Sequence, residues 1–167
     1  MNRRDLKKIL DDLHHQKLTP QQAIKKLETL PYENLKFARV DHHRALRIGI
    51  PEVIYCQGKT VVQIKKIIQS MNRAGHSVLA TKLSKDSFRK LKPSLPKVSE
   101  YNKMAQTLVI EKNKQRKRSG LIIIISAGTS DIPIAEEASV TAQLLGSRIE
   151  TLFDVGVAGI HRLLDNL

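Results

Sequence analysis

The stretch "LIIIIS", Leu121 to Ser126, constrains the fold more than any other part of the chain. It is far shorter than the roughly 20 apolar residues needed to cross a bilayer. A strand this apolar on both alternations belongs in a parallel sheet covered on both faces, as in α/β layers. The residues that follow fit that reading. "SAGTSD" is a small-residue loop, "PIAEEASVTAQLLG" reads as a helix with Gly146 past its end, and "RIETLFDV" reads as a second strand. "GVAGIHRLLDNL" is a glycine-containing turn entering a helix. The order β-α-β-α opens a doubly wound parallel sheet, so the fold class is α/β. Two strands and two helices do not cover both faces of the apolar run. Open edges and exposed apolar surface are therefore also expected.

Upstream, the chain reads as a small α+β unit. Leu6, Ile9, Leu10 and Leu13 recur at helical spacing over residues 3–15. Thr19, Pro20 and Gln22 carry the start chemistry of a second helix, with a capping box and a first-turn proline. Residues 1–36 are thus expected to hold a helical hairpin. "EVIYC" and "HSVLATKL" read as strands flanking the helix "TVVQIKKIIQSMNRAG", which Gly75 stops. Residues 84–104 are polar, contain Pro93 and Pro96, and read as mostly irregular, and "TLVIEK" is a further candidate strand. "KNKQRKRSG" is a basic connector, which sets the expected boundary near residue 118 and the expected domains at 1–36, 37–118 and 119–167.

Charge divides at the same place. Residues 1–118 hold 27 Lys and Arg against 10 Asp and Glu, a net of +17, whereas 119–167 hold 2 against 6, a net of −4. An anionic partner for the first part is one reading: nucleic acid, a nucleotide or an acidic protein. A solvated basic surface is the other. Three Phe, three Tyr and no Trp leave few stacking platforms for single strands. The N-terminus has no signal-peptide core, which points to the cytoplasm. A single cysteine, Cys56, excludes an internal disulfide and a cysteine-based zinc site, and no metal ligands are assigned.

In open parallel sheets, ligands bind in loops at the carboxyl ends of strands. Two such loops occur, 126–131 and 154–159, on one edge of the expected sheet. In the first, Gly128 allows close backbone approach, and Ser126, Thr129 and Ser130 offer hydroxyls. The helix start after Asp131 offers amide donors suited to phosphate or carboxylate. Asp131 is a helix cap, a catalytic carboxylate, or both. Just past the second loop, His161 can move protons near neutral pH and Arg162 can hold an anionic group. Glu136 and Glu137 suit the first turns of a helix. Arg44, Arg47 and Lys59 surround the first small strand. "GKT" at 58–60 lacks the first glycine of a P-loop.

The blocks "VDHHRALRIGIPEVIYCQGKT", "ISAGTSDIPIAEEASVTAQLLG" and "DVGVAGIHRLL", in that order, resemble the LarB family of nickel-pincer cofactor biosynthesis from about Phe37 onward. The later blocks are similar to aminoimidazole ribonucleotide carboxylase, PurE. Its Gly-Ser-x-Ser-Asp and Ser-Ala-His-Arg loops correspond to Ala127–Asp131 and Gly159–Arg162. The resemblance implies a PurE-like sheet, commonly assembled as an octamer. It implies carboxylation of the pyridinium ring of nicotinic acid adenine dinucleotide by carbon dioxide or bicarbonate, followed by phosphoanhydride hydrolysis to a mononucleotide and AMP. No covalent cofactor is implied, although Mg2+ can accompany the substrate. It also implies a cysteine and an acidic residue downstream of the His-Arg block. Leu167 lies five residues after Arg162, so a truncated chain or half of a split protein is expected, incomplete as an enzyme on its own. Three alternatives remain: an aminoimidazole ribonucleotide carboxylase or mutase, a basic nucleic-acid-binding module, and a non-catalytic nucleotide-binding remnant.

Overall fold

The computed structural model describes residues 3–27, 32–112 and 118–165. These form two compact units: Met1–Val53 with Thr60–Val78, and Ile54–Lys59 with Leu79–Leu167.

The first unit opens with α1, Arg3–His14, and α2, Pro20–Leu27. The capping box forms as the sequence requires. The Thr19 hydroxyl accepts from the Gln22 amide at 3.2 Å, and the Gln22 side chain accepts from the Thr19 amide at 2.9 Å. Residues 28–31, where the expected second helix would end, lie outside the described residues. Two strands that the sequence did not announce follow: β1, Glu33–Asn34, pairs antiparallel with β2, Arg39–Val40. The expected hairpin of residues 1–36 therefore ends in a strand. A short helix, α3, spans Arg44–Ile48.

Strand β3, Val53–Tyr55, is followed by α4, Val61–Arg73. Thr60 and Gln63 close a second capping box on α4, and its buried Ile64, Ile67, Ile68 and Met71 are the positions at helical spacing. Strand β4, Val78–Thr81, is buried at every position. Residues 84–104 are ordered rather than irregular. The Ser84 hydroxyl accepts from the Ser87 amide at 3.2 Å and starts α5, Lys85–Leu91. A 3-10 turn takes Pro93, and β5, Ser99–Asn102, pairs antiparallel with β6, Thr107–Ile110. Polar "SEYN" gives no alternating apolar signal. Tyr101 is what anchors it, stacking on Phe88 at 4.1 Å and donating its hydroxyl to Leu83 O at 2.8 Å. The strand order of this sheet is β3-β4-β6-β5.

Strand β7, Leu121–Ile125, begins the second sheet and is followed by α6, Ile132–Leu145, then β8, Arg148–Leu152, and α7, His161–Leu164. β7 and β8 pair in parallel, Leu121 opposite Arg148 through Ile125 opposite Leu152, as the β-α-β-α pattern requires. The expectation that β7 is covered on both faces is corrected. Leu121, Ile122, Ile123 and Ile125 are 47, 42, 56 and 59% exposed. A sheet of two strands offers too few neighbours to enclose its first strand, as the count of elements had warned. No helix among the described residues is long and apolar enough to cross a membrane.

Candidate functional site

The loops after β7 and β8 lie side by side because their backbones are laced together. The Ser126 amide donates to Leu152 O at 3.0 Å, the Val155 amide to Ser126 O at 3.1 Å, and the Gly156 amide to Ala127 O at 2.9 Å. A Cβ on Gly156 would stand 3.0 Å from Ala127 O, so close approach of the two loops depends on glycine there. The sequence placed both loops on one edge of the sheet, and the structure brings them together.

Within the first loop, Asp131 does something other than cap α6. Its backbone is already helical and its side chain makes no capping bond to that helix. The carboxylate reaches back instead to accept the Gly128 amide at 3.0 Å, while the Asp131 amide donates to Gly128 O at 3.0 Å. The Gly128 amide, which precedes the helix start, is thus already taken by Asp131. Gly128 has extended backbone, and a Cβ there would meet only ordinary contacts at 3.7 Å. The fold itself does not demand glycine at this position. Thr129, Ser130 and Asp131 are exposed. Ser126 is 6% exposed, and its hydroxyl has no hydrogen-bond partner among the described residues.

The second loop carries Arg162 and His161 at the start of α7. Arg162 is half-buried and donates to Asp154 Oδ2 at 2.6 Å, and His161 is exposed. Asp154 itself sits at φ +60°, in the left-handed region. Hydroxyls, a carboxylate, an imidazole and a guanidinium therefore line two adjoining loops. That set can hold a phosphorylated ligand and transfer a proton.

The remaining sequence candidates have chain partners. Glu136 accepts from Asn102 at 2.9 Å and Glu137 pairs with Lys82 at 2.6 Å. Arg47 pairs with Asp41 at 2.6 Å, Arg44 lies 3.8 Å from Glu52, and the Lys59 ammonium donates to Tyr55 O at 2.6 Å. Burial, opposed by Lys59, pushes the Cys56 thiol up to about 11, so it is protonated and unreactive at neutral pH. No group of three or more metal-ligating side chains occurs among the described residues.

A polar cluster in the first unit escaped the sequence reading. Glu33 accepts from the Ser70 hydroxyl at 2.6 Å and from Arg73 at 3.0 Å, and His42 Nε2 lies 3.2 Å from both Ser70 Oγ and Glu33 Oε2. His42 stacks on His76 at 5.3 Å. The Ser70 bond, opposed by partial burial and aided by His42 and Arg73, holds the Glu33 carboxyl below its ordinary range. Ser, His and Glu at these distances suggest a nucleophile, but Ser70 is fully buried and His42 is 1% exposed. Only "DHH" at 41–43 hinted at this cluster, because its members lie 28 and 37 residues apart.

Two cavities lie away from the loops. One of about 650 Å3 lies among β5, β6 and α6, where Thr107, Arg118 and Gln143 line it. The other, of about 710 Å3, is lined by Lys8, Lys25 and Lys26 together with Glu33, His42, Ser70 and Arg73 of the polar cluster.

Comparison with known proteins places the chain. Residues 32–113 match the LarB/PurE-like N-terminal domain. An uncharacterized protein of Methanocaldococcus jannaschii is 40% identical over 136 residues, covering 77% of this chain and 52% of that protein. The chain thus spans about half the length of the curated relative it matches. Through its LarB/PurE-like N-terminal domain the chain belongs to the LarB family, a PurE-related family.

Proposed function

We propose that the adjoining loops 126–131 and 154–162 are the nucleotide-facing wall of a LarB-type carboxylation site. The lacing of the two loops carries this reading, because it gathers every site residue expected from the sequence onto two neighbouring segments. The substrate is nicotinic acid adenine dinucleotide, and carbon dioxide or bicarbonate supplies the new carboxylate. Ser126, Gly128, Thr129, Ser130 and Arg162 bind the nucleotide phosphate and its hydroxyls. Asp131 and His161 handle protons as the ring C–H is replaced by C–COO− and the phosphoanhydride is hydrolysed. Mg2+ accompanies the phosphates as a counter-ion. Cys56, buried and protonated, is not the group that adds to the ring. The working assembly is a homo-oligomer, an octamer, in the cytoplasm.

Incubation with the dinucleotide, bicarbonate and Mg2+, followed by mass spectrometry, tests this. A carboxylated pyridinium mononucleotide and AMP in equal amounts are expected from the competent assembly. If neither this chain nor a longer relative with the same loops yields them, the reading fails. A second reading, an aminoimidazole ribonucleotide carboxylase or mutase, rests on the same loop pair alone. Turnover of carboxyaminoimidazole ribonucleotide would favour it.

A further inference from the structure

Arg162 is held in a way that the proposed function does not require. Three observations converge on Asp154. Its carboxylate takes the Arg162 guanidinium at 2.6 Å, although the two side chains are 44 and 40% exposed. Its backbone lies at φ +60°, a conformation that aspartate tolerates better than most residues but that still costs energy relative to an ordinary one. This is the residue at which the chain turns after β8, so that the next two amides, Val155 and Gly156, reach the carbonyls of Ser126 and Ala127. One residue therefore both laces the loops and grips the arginine.

Gly159 completes the arrangement. A Cβ there would stand 2.6 Å from Arg162 Nε and 2.9 Å from its NH2, so the guanidinium rests directly on the glycine backbone. The Nε atom is buried. The guanidinium thus sits between the Asp154 carboxylate and the Gly159 backbone, while 40% of the side chain stays open to solvent. An arginine that recognises a phosphate does so through a planar fork, whose value depends on being held in place before the ligand arrives.

We propose that Asp154 is a positioning residue for phosphate recognition, acting through Arg162, with Gly159 as the platform that makes the pose possible. This rests on the nucleotide-binding reading of the two loops. Asp154 touches no ligand. It fixes the cation that does.

The test is titration of the protein with AMP at low ionic strength, by calorimetry. Asp154→Ala weakens AMP binding by about tenfold or more, and Asp154→Asn, which keeps an acceptor oxygen, restores it to within about threefold of the parent. Gly159→Ala weakens it as Asp154→Ala does without altering either charge. Arg162→Ala is at least as weak, and adding Asp154→Ala to it costs nothing further, because the effect runs through the missing arginine. Equal weakening by Asp154→Ala in both backgrounds would mean that it only props up the loop, and the proposal falls. Unchanged or tighter AMP binding by Asp154→Ala also overturns it, the latter by making Asp154 a competitor for the cation. If the parent protein binds no AMP at millimolar concentration, the nucleotide reading fails and this inference goes with it. If the parent binds and the cycle is additive, only the inference fails.

Discussion

The Glu33 cluster and the loop pair are built from similar side chains and are used in opposite ways. Glu33, His42, Ser70 and Arg73 satisfy one another at 2.6–3.2 Å, with Ser70 fully buried. In the loops Thr129, Ser130, Asp131 and His161 face solvent, and the buried Ser126 hydroxyl has no partner among the described residues. Distances alone would rank the first as the better catalytic centre, because it has the spacing of a nucleophile, a base and an acid. Burial reverses that ranking. A polar group fully engaged by its neighbours contributes specificity and stability, and one left open is available to a ligand.

Substitutions can break this contrast. Glu33→Ala leaves Ser70 and His42 without their shared acceptor inside the first unit, and should cost about 1–3 kcal/mol in urea unfolding. AMP binding at the loops should be unchanged. Acid acts on the same cluster. The folded-state pKa of Glu33 lies below its unfolded value, so its contribution is complete above the ordinary carboxylate range and is lost as pH falls through the lowered value. Stability should therefore decline from about pH 5 downward, with a shallower decline in Glu33→Gln. Gly128→Ala should reverse the pattern, with stability within about 0.5 kcal/mol of the parent and AMP binding impaired. Equal destabilisation by Gly128→Ala and Glu33→Ala would erase the distinction between the two clusters. The smallest effect belongs to Cys56. With its pKa near 11 rather than 9.0, its thiolate fraction at neutral pH falls about a hundredfold, so alkylation of the native protein should be very slow and Cys56→Ser should leave turnover intact.

Much of the fold could be read along the chain, because periodicity and caps are local. Ile64, Ile67, Ile68 and Met71 announced α4, and Thr19 with Gln22 announced α2. The small residues of 126–131 and the glycines of 154–159 announced the loops. Features that depend on distant partners could not be read. β5 is polar, and it is held by its ladder to β6 and by Tyr101, which meets Phe88 and Leu83. β1 and β2 are two-residue strands, too short for any alternation to show. The role of Asp131 was half legible: its position at the helix start was clear, and its turn back to Gly128 was not. Pairing of Arg162 with Asp154 needed the left-handed turn at residue 154, which no composition signals.

The exposed strand β7 has a consequence for how the protein must be handled. Leu121–Ile125 carries no charge, proline or glycine, and most of it is open to water. Such a segment is prone to cross-β stacking between copies. Self-association is second order in protein while folding is first order, so dilution protects the native state. Refolding yield should fall steeply with concentration, and a single lysine at Ile123 should flatten that dependence while barely altering the unfolding curve of each molecule.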